Sequence, residues 1–187
     1  MQIVVTAFLD EAEALVRASL ALVDRYQSRD PDFLAALIGW LKQGEALLEK
    51  YRRPQLAAFA ALRARALAAQ AGVNSQEGRR LAQRKQSAGA GALILGEAQA
   101  LLADVQTKLV AQRDEASRLI LQMLQILIQN GSLTPLLAAP AAERIAPIWQ
   151  CCLARPEVAT GARQVLGLVA WPDALRLVDE TLAAWRL

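Results

Sequence analysis

Histidine is absent from the 187 residues, and that decides much of the available chemistry. The commonest general base and the commonest nitrogen ligand for metals are both missing. A nucleophile triad needs an imidazole beside its serine or cysteine, and a di-metal carboxylate bundle needs Glu-x-x-His; neither can be assembled. The two cysteines, Cys151 and Cys152, are adjacent. A disulfide between chain neighbours is strained and closes no useful loop. A zinc site without His or further thiols would have to draw on carboxylates. The pair therefore reads as two small residues on a buried helix. Carboxylates at helical spacing occur as Asp10 with Glu13, Glu45 with Glu49, and Asp114 beside Glu115. Acid–base catalysis needs such a pair in a pocket that drives the two pKa values apart; these lie among polar neighbours and read as solvated faces. The segment Ser87 to Gly96 (SAGAGALILG) has the glycine content of a phosphate loop. It lacks the Gly-Lys-Ser/Thr that would put a lysine on phosphates, and it follows no strand. No enzyme activity, cofactor or metal is expected.

The remaining feature with chemical content is cationic. Between Lys50 and Lys85 lie nine cations (Lys50, Arg52, Arg53, Arg63, Arg65, Arg79, Arg80, Arg84 and Lys85) against one anion, Glu77. Arg80 and Arg84 are four apart and share a helix face, with Arg79 and Gln83 in the adjacent row. Such a stripe can contact phosphates without reading bases. No aromatic residue is interleaved over 76–88, so stacking on single strands is unsupported. Arg52, Arg53, Arg79, Arg80, Arg84 and Lys85 are the candidate binding residues, for an acidic protein surface or for nucleic acid; the bland alternative is a solvated, arginine-rich face. Arg79, Arg80, Arg84 and Lys85 are expected to be exposed.

The elements that must position these residues are helices. Ala and Leu make up 70 of the 187 residues and aromatics only 5%, which argues against sandwiches and doubly wound sheets and for an all-α fold. Phe8, Ala12, Leu15, Ser19, Leu22 and Tyr26 alternate at spacings of four and three, widened by Leu9, Val16, Leu20 and Val23, and predict a first helix over 3–27. Asp30 and Pro31 suit N-cap and first-turn positions and open a second helix to about Arg52, in which Gly39 and Gly44 suit close helix approach. Pro54 precedes a third, to about Ala71. Gly72 and Ser75 then mark a stop and a start, leading to a basic helix over 76–87, a joint at Ser87 to Ala92, and a long helix over 92–129. In the last, Ala98, Leu102, Val105, Leu109, Gln112, Ala116, Leu119, Met123 and Ile126 form a heptad seam flanked by Leu101, Val110, Ile120, Leu124 and Leu127. A flanked seam buries more than one face, as the central helix of a bundle does. Asn130-Gly131-Ser132 ends it. Five of the seven prolines then cut 133–187 into short helices near 141–153, 156–169 and 172–185. Three of the four tryptophans lie there and are expected mostly in its core.

This predicts an antiparallel bundle of long helices over 1–130 with a short-helix C-terminal subdomain over 131–187 packed on it. The hairpin of residues 8–71 with the long helix resembles, in outline, small bacterial secretion-chaperone and adaptor bundles, which implies binding rather than catalysis. The net charge is +3 and the apolar fraction 55%, high enough to suggest a homo-oligomer, most simply a symmetric dimer. The longest apolar stretch, Leu119 to Ile128, is too short for a bilayer, which needs about 20 residues. The N-terminus has no basic region before Asp10 and Glu11, unlike a secretory signal, so a cytoplasmic location is expected. The expected function is a non-enzymatic protein–protein interaction module (adaptor, scaffold or chaperone-like subunit); the alternative is a nucleic-acid-associated helical subunit using the basic block 50–85.

Overall fold

The computed structural model describes residues 4–74 and 80–185, with the side chains of 73, 74, 80–84, 141 and 142 outside that description. Every regular element among them is a helix: α1 (Val5–Gln27), α2 (Phe33–Lys50), α3 (Leu56–Asn74), α4 (Arg80–Gln129), α5 (Thr134–Leu137), α6 (Ala141–Ala154), α7 (Pro156–Leu168) and α8 (Trp171–Ala184). The all-α, bundle-like architecture is as expected. Contacts divide the chain into one unit of Phe8–Thr107 and another of Met1–Ala7 with Lys108–Leu187. The sequence reading divides it by helix length, near 130–134. Packing divides it inside α4, whose two halves serve different cores.

In the Phe8–Thr107 unit, α1 and α2 run antiparallel, shown by Trp40 Nε1 donating to the Leu15 carbonyl (2.8 Å) and by Lys50 reaching Glu11 (2.7 Å). The indole bond satisfies the one polar atom of a buried tryptophan. Phe8, Leu37, Leu41, Leu48, Phe59 and Leu102 are sealed from solvent. Gly44 lets α3 approach closely: a Cβ there would collide with the Phe59 ring, whereas one on Gly39 would meet open space. Asp30 acts two residues early. Its Oδ1 accepts the Asp32 N–H (2.8 Å), and α2 begins at Phe33 rather than Pro31. The expected Ser75 start lies outside the described residues.

The joint expected at Ser87 to Ala92 does not break the helix. α4 continues through it, because Gly91 lies against Phe33 and Leu34, where a Cβ would come within 2.8 Å of both. That contact outweighs the roughly 1 kcal/mol that a helical glycine costs relative to alanine. The buried stripe of α4 departs from the heptad seam. Ala98, Leu102, Val105, Leu109, Ala116 and Met123 are buried as expected, but Leu119 is half-buried and Ile126 is 40% exposed. Ile120 and Leu127, assigned to the flank, are fully buried instead. A helix with about 3.6 residues per turn drifts about 20° per heptad from a strict seven-residue repeat. Over four heptads the buried stripe has moved by nearly one residue. By length and composition, the segment Lys85–Gln129 holds a stretch able to cross a membrane, a third of it buried; core helices of soluble folds pass the same test.

In the second unit, α4 from Lys108 meets α7 through Met123 at Gly161 and α8 through Arg113 at Glu180. Gly131, at φ +72°, ends α4 as expected. Trp149 is fully buried and meets Trp171 edge-on at 6.1 Å, while Gly161 admits Met123 with its sulfur 3.0 Å from where a Cβ would be. Asp173 closes this unit. It is 2% exposed, lies in the first turn of α8, and accepts the backbone N–H groups of Val5 (2.6 Å) and Thr6 (3.1 Å). One buried carboxylate thus serves two positive helix ends, its own and that of α1.

Candidate interaction surfaces

Among the described residues, the cations of the basic block do not form one open surface. Lys50 Nζ and the Tyr51 hydroxyl both donate to Glu11 Oε1, at 2.7 and 2.8 Å. The Lys50 bond is the main cause holding the Glu11 carboxyl below its ordinary range, and the same bond raises Lys50. Arg63 Nε donates to Glu45 (2.6 Å), and Arg65 grips Glu97 with two bonds of 2.5 and 2.9 Å. Glu45 and Glu97 come from helices on either side of α3, so these pairs tie the unit together and neutralise its cations. Arg53 folds inward over the Phe8 ring, 5.0 Å from its centroid. Its Nε and one Nη are buried without a hydrogen-bond partner. Burial lowers its pKa, since desolvation disfavours the charged form. Of the candidate binding residues, Arg52 is exposed at the end of α2 in the left-handed region (φ +49°), and Lys85 is exposed on α4. Arg79 and the side chains of Arg80 and Arg84 lie outside the described residues.

One member of each carboxylate pair is held in an ion pair: Glu13 with Arg17 (3.2 Å), Glu45 with Arg63, and Glu115 with Arg118 (2.6 Å). Cys152 is fully buried and Cys151 half-buried, both as free thiols. Burial, and then Cys151 beside it, pushes the Cys152 thiol up to about 12. Among the described residues no three or more acidic or thiol groups converge as metal ligands would.

Two apolar features, neither singled out by the sequence reading, present themselves instead. On the Phe8–Thr107 unit, a groove of about 470 Å³ runs between α1 and α2. Its lining is Glu11, Ala14, Leu15 and Ala18 from α1 and Gln43, Ala46, Leu47 and Lys50 from α2. Each set follows i, i+3, i+4, i+7, so the groove is two helix faces laid edge to edge. Leu15 and Leu47 form its buried floor, Ala14, Ala18 and Ala46 its exposed rims, and the Glu11–Lys50 ion pair closes one end. The opposed spacing of the alanines was the readable signal. On the other unit, a cavity of about 510 Å³ is lined by Gln125, Ile128, Gln129 and Trp185. It adjoins exposed Leu121 and Ile128 on α4. Leu20, counted in the α1 stripe from its spacing, is 61% exposed, and Leu93 is 70% exposed.

No protein-family model, curated protein or solved structure matches this chain.

Proposed function

We propose that the chain is a non-enzymatic protein–protein interaction module, an adaptor, scaffold or chaperone-like subunit that receives a helix of another protein in the α1–α2 groove. The groove carries this reading. An amphipathic helix binds such a surface through anchors at i, i+3, i+4 and i+7, the periodicity with which both walls are built. The low alanine rims leave room for larger apolar side chains to reach Leu15 and Leu47. The ion pair sets polar groups at one end of an apolar floor, as polar residues border the apolar core of a protein interface. The pairing of Lys50, Arg63 and Arg65 with Glu11, Glu45 and Glu97 favours this over the phosphate-binding alternative.

Capture of partners from the native host on the immobilised chain, followed by mass measurement of the intact complexes, tests it. Ala18→Glu with Ala46→Glu fills the groove with charge at exposed positions. A stoichiometric protein partner held by the native chain and lost by this variant is the expected result. Retention by both forms, or no protein partner with binding only to a random oligonucleotide that collapses between low and physiological salt, overturns it.

A further inference from the structure

We infer that the second unit carries a self-association surface on α4, and that its occupant is the same surface of a second copy in antiparallel orientation. Val110, Asp114, Ser117, Leu121, Gln125 and Ile128 recur at spacings of four, three, four, four and three, so they share one face of the helix. That face lies well round from the buried stripe of Ala116, Ile120, Met123 and Leu127. Val110 is 44%, Leu121 36% and Ile128 38% exposed. It carries a single charge, Asp114.

The pattern is complementary to its own reverse. Val110 and Ile128 lie at equal distances on either side of Leu119, as do Ser117 and Leu121. Asp114 and Gln125 lie within one residue of doing so, and on the same flank. A two-fold axis at the level of Leu119 therefore sets Val110 of one copy against Ile128 of the other at both ends of the seam. It sets each Asp114 carboxylate against a Gln125 amide, which can donate to it. Parallel, in-register pairing would instead oppose Asp114 to Asp114. Arg118, beside the axis, is already held by its own Glu115 through two bonds of 3.0 and 2.6 Å, so each flank enters as a neutral pair. The cavity lined by Gln125, Ile128, Gln129 and Trp185 lies at each end of this seam, where Val110 of the other copy arrives.

Size sets the strength. The seam is about 27 Å long and about as wide as one helix, or roughly 300 Å² per copy, well under the roughly 800 Å² of a standard interface. Association is accordingly weak, with a dissociation constant of about 10–1000 µM.

Sedimentation equilibrium of the full chain from about 5 to about 500 µM is expected to show the mass rising from 20.3 kDa towards twice that value. Leu121→Glu is expected to weaken association at least tenfold with helix content unchanged by circular dichroism. Under mild oxidation, Val110→Cys with Ile128→Cys is expected to give a covalent dimer. Either substitution alone is not, because in antiparallel pairing the two copies of each position lie about 27 Å apart along the seam; the native chain controls for Cys151 and Cys152. A monomer throughout the range, undiminished association of Leu121→Glu, or cross-linking by either single variant overturns the inference. The groove variant Ala18→Glu with Ala46→Glu is expected to associate like the native chain, so this surface and the proposed partner site fail or stand separately.

Discussion

Removing the Asp173 carboxylate should loosen α1 at its first turn, although Val5 and Asp173 are 168 residues apart in the chain. The carboxylate is 2% exposed and holds two backbone N–H groups, those of Val5 and Thr6. The residue preceding α1, Val4, has no side-chain acceptor of its own. Loss of a capping acceptor costs about 1–2 kcal/mol, and a buried donor left without a partner costs about 1–3 kcal/mol. These terms overlap, so Asp173→Ala is expected to destabilise by about 2–4 kcal/mol. Asp173→Asn keeps one carbonyl oxygen for one of the two donors and should cost about half as much. With a urea slope of about 2 kcal/mol/M, the alanine variant's midpoint falls by about 1–2 M and the asparagine variant's by less. Hydrogen exchange gives the local readout: the Val5 and Thr6 amides should lose protection in both variants, more in alanine. An alanine variant with an unchanged midpoint and unchanged exchange at those amides would refute the shared-cap reasoning.

Two glycines on α4 should respond with opposite sign. Gly89→Ala meets nothing within 4 Å and should stabilise by about 0.5–1 kcal/mol. Gly91→Ala pushes into Phe33 and Leu34 and should destabilise by about 1–3 kcal/mol; paired urea titrations read both. The phase of the helix is tested by Leu127→Ala, expected to cost about 2–5 kcal/mol, against Ile126→Ala, expected within about 0.5 kcal/mol. With iodoacetamide at pH 8 the folded chain should alkylate at Cys151 and spare Cys152, whose thiol burial pushes up to about 12; peptide masses locate the adduct.

Much of the fold is legible in the sequence, because helix formers, prolines and Gly131 act locally. The short helices α6 to α8 fall within about two residues of where their prolines place them. What failed was long-range. A seven-residue repeat imposed on a straight helix predicts Ile126 inside, yet only the accumulated drift of about 20° per heptad puts Leu127 there. The glycines of 87–92 read as a joint because their propensity is local, while the reason for Gly91 is the Phe33 and Leu34 pair on another helix. Lys50, Arg63 and Arg65 read as members of one patch because spacing along the chain does not show that Glu11, Glu45 and Glu97 come to meet them. Asp173 carries no signal at all in its neighbourhood, since its partners are backbone groups at the other end of the chain. The groove was half legible: Ala14, Ala18 and Ala46 sit at helical spacing, but only the antiparallel register of α1 and α2 makes them face one another.

The most direct test of the proposed function is a photo-crosslinking residue placed at Ala18 or Ala46 in the groove, with Arg155 on the other unit as control, irradiated in native-host extract and read by the mass of the adduct. Both groove positions are expected to label the same protein, through one helical segment, and position 155 is not. Labelling from position 155 with none from positions 18 and 46, or unrelated labelling at the two groove positions, would contradict it.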